Sequence, residues 1–210
     1  MQVTRRTFLG SSAVLVAGTM ATGKVFGANS RIRVACIGIH GRGRDHIKGF
    51  SQVEGSEVVA LCDVDKNVLE ERAKDLQEKT GKTAKKYVDV RELLADDSVD
   101  AVSIATPNHW HTLGTVWACQ AGKDVYVEKP LSHGVWEGRQ VVAAARKYGR
   151  IVQHGTQKRS KPEWVRAIQR LREGVIGELY MARALCYKRR DSIDIKPDQS
   201  PPEWLEWTLW

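Results

Sequence analysis

Gly38-Ile39-His40-Gly41-Arg42-Gly43 has the residue types and spacing of a turn that cradles phosphate. In such a turn the first glycine makes the tight bend, the second lets backbone approach a pyrophosphate, and the third lets helix and strand pack closely. Gly38 and Gly43 fill the first and third places, while His40 stands where the second glycine is usual, with Gly41 beside it. An apolar run precedes the turn and a segment of helical period follows it, so helix amides would face an anion held there. Asp63 lies 20 residues past Gly43, at the end of the second apolar run. Its carboxylate can accept the 2'- and 3'-hydroxyls of an adenine ribose and would repel a 2'-phosphate. The spacing therefore predicts a bound dinucleotide, NAD rather than NADP, with Arg42 and Arg44 moderating that exclusion.

These residues need a sheet to hold them. Apolar, β-branched runs at Ile32 to Ile37, Glu57 to Leu61, Ala101 to Ala105, Val125 to Val127 and Ile151 to Gln153, with a weaker one at Lys86 to Val88, predict six short strands. Between them, Asp45 to Val53, Asn67 to Lys79, Val90 to Ala95, His109 to Ala121 and Trp136 to Tyr148 repeat apolar residues every three or four positions, as helices do. Gly81, Gly122 and Gly149 follow three of these segments, where a C-terminal cap favours a left-handed residue. Parallel neighbours require a crossover, and the crossover is right-handed, so the alternation predicts a doubly wound parallel α/β sheet over residues 31–155. After Gly155 a helix over Glu163 to Glu173 and an alternating run from Glu178 to Tyr187, expected as an edge or antiparallel strand, start a second, α+β substrate domain over residues 156–210. Trp204, Trp207 and Trp210 then follow Pro201-Pro202 and put large aromatic surface where little remains to cover it, so the second domain is expected to be truncated and the fragment prone to association.

Residues 1–30 look like an export leader: Arg5-Arg6 before Phe8-Leu9, an apolar stretch from Ser12 to Ala21, and small residues at Gly27-Ala28. The apolar stretch is shorter than the roughly 20 residues a membrane span needs, so no membrane span is expected. Arg5, Arg6 and Lys24 leave with such a leader and reduce the net charge from +8 to +5. The remaining basic residues are spread over solvated helix faces rather than gathered, which speaks against a nucleic-acid partner. Cys36, Cys62, Cys119 and Cys186 have neither a C-x-x-C pair nor zinc-ligand spacing, so no metal is expected and buried free thiols are. A Cys36–Cys62 disulfide is conceivable on neighbouring strands, but parallel geometry opposes it.

Two later segments carry a specific resemblance. Ala105-Thr106-Pro107-Asn108-His109-Trp110-His111 ends the fourth predicted strand, and Val127-Glu128-Lys129-Pro130 ends the fifth. With the glycine turn upstream, this combination resembles the Gfo/Idh/MocA oxidoreductases, the glucose-fructose oxidoreductase and inositol dehydrogenase group, and in particular its exported members with twin-arginine leaders. The resemblance covers nearly all of residues 31–210 and implies a Rossmann domain, an NAD(P) cofactor, a sugar or cyclitol substrate, a periplasmic location and a homo-oligomeric full-length form. It places Gly38, Ile39, His40, Gly41, Arg42, Gly43 and Asp63 on the cofactor. It also implies that Thr106, Pro107, Asn108 and His111 line the cofactor cleft, that Glu128 frames the cofactor, and that Lys129 lies beside the nicotinamide and the substrate hydroxyl. Oxidising a carbinol sends a hydride to the nicotinamide and the hydroxyl proton to a base, and an amine within hydrogen-bond reach can relay that proton. The family's acid/base aspartate and histidine pair in the second domain is not visible in this sequence, so the fragment alone is expected to be inactive. Two other readings keep the cofactor site: a glycoside hydrolase or lyase that uses the cofactor transiently, and a non-catalytic dinucleotide sensor.

Overall fold

The computed structural model describes residues 31–188, 190–192 and 194–210. The leader expected over residues 1–30 lies outside them. Consecutive apolar residues in β1 (Ile32–Ile37) serve both sides of the sheet: Ala35 and Ile37 pack with Ala60, Cys62, Val102 and Ile104, while Cys36 packs with Val58 and Leu61 on the opposite face. Burial on both faces is the condition of a parallel sheet covered by helices. The chain continues through α1 (Arg42–Gln52), β2 (Ser56–Cys62), α2 (Lys66–Thr80), β3 (Lys85–Tyr87), α3 (Val90–Leu94), β4 (Ala101–Ile104), α4 (His109–Gln120), β5 (Asp124–Glu128), α5 (Val135–Tyr148) and β6 (Val152–Gly155). All neighbouring strands run parallel in the order β3-β2-β1-β4-β5-β6. Winding reverses between β1 and β4, and in such sheets ligands bind outside the carboxyl ends of the strands at that point.

Local chemistry sets the helix ends. The Asp65 carboxylate accepts the Val68 amide at 3.0 Å and caps α2, which ends at Gly81 with φ +72. Gly149, with φ +60, ends α5 in the same way. The first helix starts at Arg42 rather than at Asp45, because Gly41 takes the N-cap position and the polar stretch Arg42-Gly43-Arg44 forms the first turn. That turn carries no apolar period by which sequence could detect it. Among the described residues no helix is long and apolar enough to cross a membrane.

Two further expectations are corrected, the strand at Glu178 to Tyr187 and the burial of Cys186, while Cys36 and Cys62 are the buried free thiols expected. The run from Glu178 to Tyr187 is irregular and exposed, not a strand, because alternation makes a strand only where another backbone supplies the hydrogen bonds, and none pairs with it among the described residues. Cys36 stands opposite Leu61 and Cys62 opposite Ile37, with the two thiols on opposite faces of the sheet, so no disulfide joins them. Burial pushes the Cys36 thiol up to about 12, which leaves it inert packing. Cys186 is exposed rather than buried. Beyond β6, a 3-10 turn at Gln157–Ser160 leads into α6 (Pro162–Arg172).

Candidate functional site

The three glycines divide their labour in a way the structure makes explicit. Gly38 has φ +75, and a Cβ there would stand 2.5 Å from the Thr106 amide nitrogen. At Gly43 a Cβ would lie 1.9 Å from the Gly38 carbonyl oxygen, so only glycine lets α1 start this close to the turn. A Cβ at Gly41 would meet no protein atom and would project into open space. Gly41 therefore takes the part of the second glycine, one position after the place the motif gives it, which His40 occupies. No side chain caps the N-terminus of α1, and its amides remain for an anion.

Asp63 follows β2 and is tied to the turn. Its Oδ2 accepts the Ile39 amide at 2.8 Å and its Oδ1 the Asp65 amide at 3.0 Å. Burial pushes the Asp63 carboxyl up, against the pull of these two hydrogen bonds. A carboxylate has about four lone-pair sites, so two are left for ribose hydroxyls. Ile39 is fully buried and serves through its backbone, and the Asp63 bond engages its amide.

The cleft at the switch point has two halves. One, of about 480 Å³, is bordered by Gly38, His40, Gly41, Arg42, Asp63 and Pro107. The other, of about 470 Å³, is bordered by Asn108, His111, Glu128, Lys129 and the 157–161 segment. Arg42, Ala105 and Thr106 border both. Each half is of the size that takes a small ligand, and together they run from the β2 end of the sheet to the β5 end. At the seam the buried Thr106 Oγ1 has no hydrogen-bond partner among the described residues. An orphaned hydroxyl, an open Gly41 and an uncapped helix start are what a pyrophosphate-linked ligand would satisfy.

Under the second half lies a polar network that sequence reasoning missed. Glu128 is 4% exposed. Its Oε1 accepts from Arg42 Nε at 3.1 Å and from the Gln157 amide, and lies 3.0 Å from His46 Nε2, while His46 Nδ1 sits 2.7 Å from Ser103 Oγ. Burial pushes Glu128 up, but the hydrogen bonds from Gln157, His46, Arg42 and the Lys129 amide outweigh it and hold the carboxyl down at about 2. Burial lowers His46 in spite of Glu128, which fits a neutral ring that donates to Glu128 and accepts from Ser103. Glu128 is thus an ionised, fully engaged anchor joining α1, β5 and the 157–160 turn. His46 lies three residues past Gly43 in α1, but only tertiary structure brings it to Glu128.

His111 also acts as a brace. It is 1% exposed, with Nδ1 2.6 Å from the Pro130 carbonyl and Nε2 2.9 Å from the Thr106 carbonyl, so neither ring nitrogen is left for a ligand. It ties the loop after β4 to the loop after β5. Asn108 and Lys129 are exposed on the cleft. Lys129, with Lys158 and Lys161 nearby, forms no ion pair among the described residues.

A doubly wound sheet with a glycine turn, an acidic residue after β2 and a cleft across the switch point defines a dinucleotide-binding domain. Residues 32–156 match the Gfo/Idh/MocA profile, described as the oxidoreductase family with an NAD-binding Rossmann fold, and the chain belongs to that family. A glycosyl hydrolase family 109 protein from Shewanella pealeana is 29% identical over 172 residues, which cover 80% of this chain and 38% of that protein. Among solved structures, myo-inositol 2-dehydrogenase from Lactobacillus plantarum superposes with a TM-score of 0.64 at 26% identity, covering 71% of this chain and 43% of that one. A 3-ketoreductase from Actinomadura kijaniata in complex with TDP-benzene and NADP gives 0.63 at 29% identity, covering 71% and 44%. The chain thus spans well under half the length of these relatives.

Proposed function

We propose that this chain is the cofactor-binding part of an NAD-dependent dehydrogenase that moves a hydride between a hydroxyl-bearing carbon of a sugar or cyclitol and the nicotinamide. The observation that carries the reading is the continuous cleft, with Asp63 in one half and Lys129 in the other. The turn amides and Arg42 would hold the pyrophosphate, Asp63 the adenine ribose, and Thr106 and Asn108 the wall of the second half. Bound there, the cofactor supplies a hydride acceptor. The protein's share is to orient the substrate hydroxyl and move its proton, and Lys129, directly after β5 and without an ion pair among the described residues, is placed for it. The test is NADH absorbance against a panel of cyclitols and sugars, with product analysis. Net NADH together with a ketone product supports the dehydrogenase, and no turnover of any polyol by the whole protein would remove it.

The family 109 relatives favour a second reading, glycoside cleavage by transient redox. It predicts release of a free sugar with no net NADH, so the same assay separates the two.

For the cofactor, NAD is expected to bind more tightly than NADP. Asp63→Ala should reduce NAD affinity by at least tenfold, since hydrogen bonds to a charged group contribute roughly 1.5–3 kcal/mol each. It should also narrow the preference over NADP, because the repulsion of a 2'-phosphate goes with the carboxylate. Calorimetry with both cofactors reads this, and a wild-type preference for NADP would overturn the role given to Asp63.

A further inference from the structure

The segment from Trp204 to Trp210, whose three tryptophans are exposed, crosses the mouth of the first half of the cleft and is fastened on both sides. On one side the Lys66 amide donates to the Trp204 carbonyl at 3.0 Å, the Glu206 amide donates to the Val64 carbonyl at 2.9 Å, and Asp65 and Leu205 form an antiparallel bridge. On the other side the Trp210 carbonyl accepts the Trp110 indole Nε1 at 3.0 Å and lies 3.0 Å from His109 Nε2. The Trp210 ring is held flat on Trp207, with centroids 5.2 Å apart and planes 8° from parallel. Trp204, Leu205, Leu209 and Trp210 therefore line the cleft together with Gly38 and Asp63.

The chemistry of the two sides is complementary to one kind of ligand. The turn and Asp63 offer amides and a carboxylate, suited to phosphate and ribose. The segment offers flat apolar rings, with Trp204 42% and Trp210 48% exposed, on a fastened backbone and with the Trp210 ring stacked on Trp207. A base stacks on such a surface whatever its edge pattern, and a segment whose backbone is already fastened loses little conformational freedom on binding.

We propose that Trp204 and Trp210 form the outer wall of the adenosine half-site and take the adenine ring of the dinucleotide against their faces. This rests on the dinucleotide reading above, and the experiment separates the two. Calorimetry is run on this chain with NAD, ADP-ribose and nicotinamide mononucleotide, alongside tryptophan fluorescence. Trp204→Ala and Trp210→Ala should each weaken NAD and ADP-ribose by about tenfold, within the usual range for loss of one base stack. Nicotinamide mononucleotide, which has no adenine, should be unaffected. Trp204→Phe keeps a flat ring and should bind ADP-ribose within about threefold of wild type while losing part of the ligand-induced fluorescence quench, which tells stacking from misfolding. Wild-type binding of ADP-ribose that neither alanine variant weakens, or a Trp204→Phe variant as weak as Trp204→Ala, would overturn the wall. Failure of the wild-type chain to bind NAD and ADP-ribose at all would instead overturn the dinucleotide reading.

Discussion

Gly43→Ala is expected to abolish detectable NAD binding and to destabilise the domain by about 3 kcal/mol, at the upper end of the usual cost of forcing a methyl group into filled space. The added Cβ would be 1.9 Å from the Gly38 carbonyl oxygen, and neither partner has room to retreat. Gly38 donates its amide to the Cys62 carbonyl at 2.9 Å, and its own Cα side abuts the Thr106 backbone. The start of α1 would have to move away from β1, carrying Arg42 and His46 off Glu128. Gly41→Ala is the control, because its Cβ would meet no protein atom. That variant should keep its stability within about 1 kcal/mol, the scale of a glycine-to-alanine backbone effect, yet weaken NAD, since the methyl group would enter the space in front of the helix amides. Urea unfolding and calorimetry distinguish the two. A Gly43→Ala variant with wild-type midpoint and NAD affinity would refute the packing argument, and a Gly41→Ala variant with unchanged affinity would place the pyrophosphate elsewhere.

What sequence could reveal here was whatever depends on local order. Runs such as Ile32 to Ile37 and Ala101 to Ile104 are largely apolar at successive positions because both faces of the sheet are buried, and their alternation with helical periods points to a doubly wound parallel sheet, though not to its strand order. The glycine turn and Asp63 were legible because a strand–turn–helix fixes their spacing. The His46, Ser103, Glu128 and Gln157 network was not, since its members come from α1, β4, β5 and the turn after β6 and meet only through the sheet. Trp204, Trp207 and Trp210 are exposed as their sequence context suggests, but their attachment to the cleft was not legible. Nothing in their spacing tells that Val64 and Lys66 offer backbone partners to the chain around them. The run from Glu178 to Tyr187 failed for the converse reason, as its pattern suits a strand but its backbone has no described partner.

Lys129→Ala is expected to lower kcat of the whole protein by roughly 10²–10⁴, the range for general acid and base groups, with NAD affinity within a few fold of wild type. Within the second half of the cleft Glu128, His111 and Asn108 drop out in turn. Glu128 is held ionised and has Arg42, His46 and Gln157 on a single oxygen, so it cannot take a proton near neutral pH without dismantling the anchor. His111 is buried with both nitrogens on backbone carbonyls. Asn108 does not titrate. Lys129 follows the anchor directly, is exposed to the cleft, and has no described ion-pair partner to restrain it. Its backbone amide, 3.3 Å from Glu128 Oε2, fixes where the side chain starts, which is the positional control a proton relay needs. Lys158 and Lys161 share the cleft and serve as comparisons, because a purely electrostatic contribution would be spread over all three. Lys158→Ala and Lys161→Ala should act mainly on substrate KM, whereas Lys129→Ala should act on kcat. Lys129→Arg keeps the charge but not a removable proton, so it should remain close to the alanine variant. Equal kcat losses from all three alanine variants, or recovery of kcat by Lys129→Arg, would reduce Lys129 to one positive charge among several.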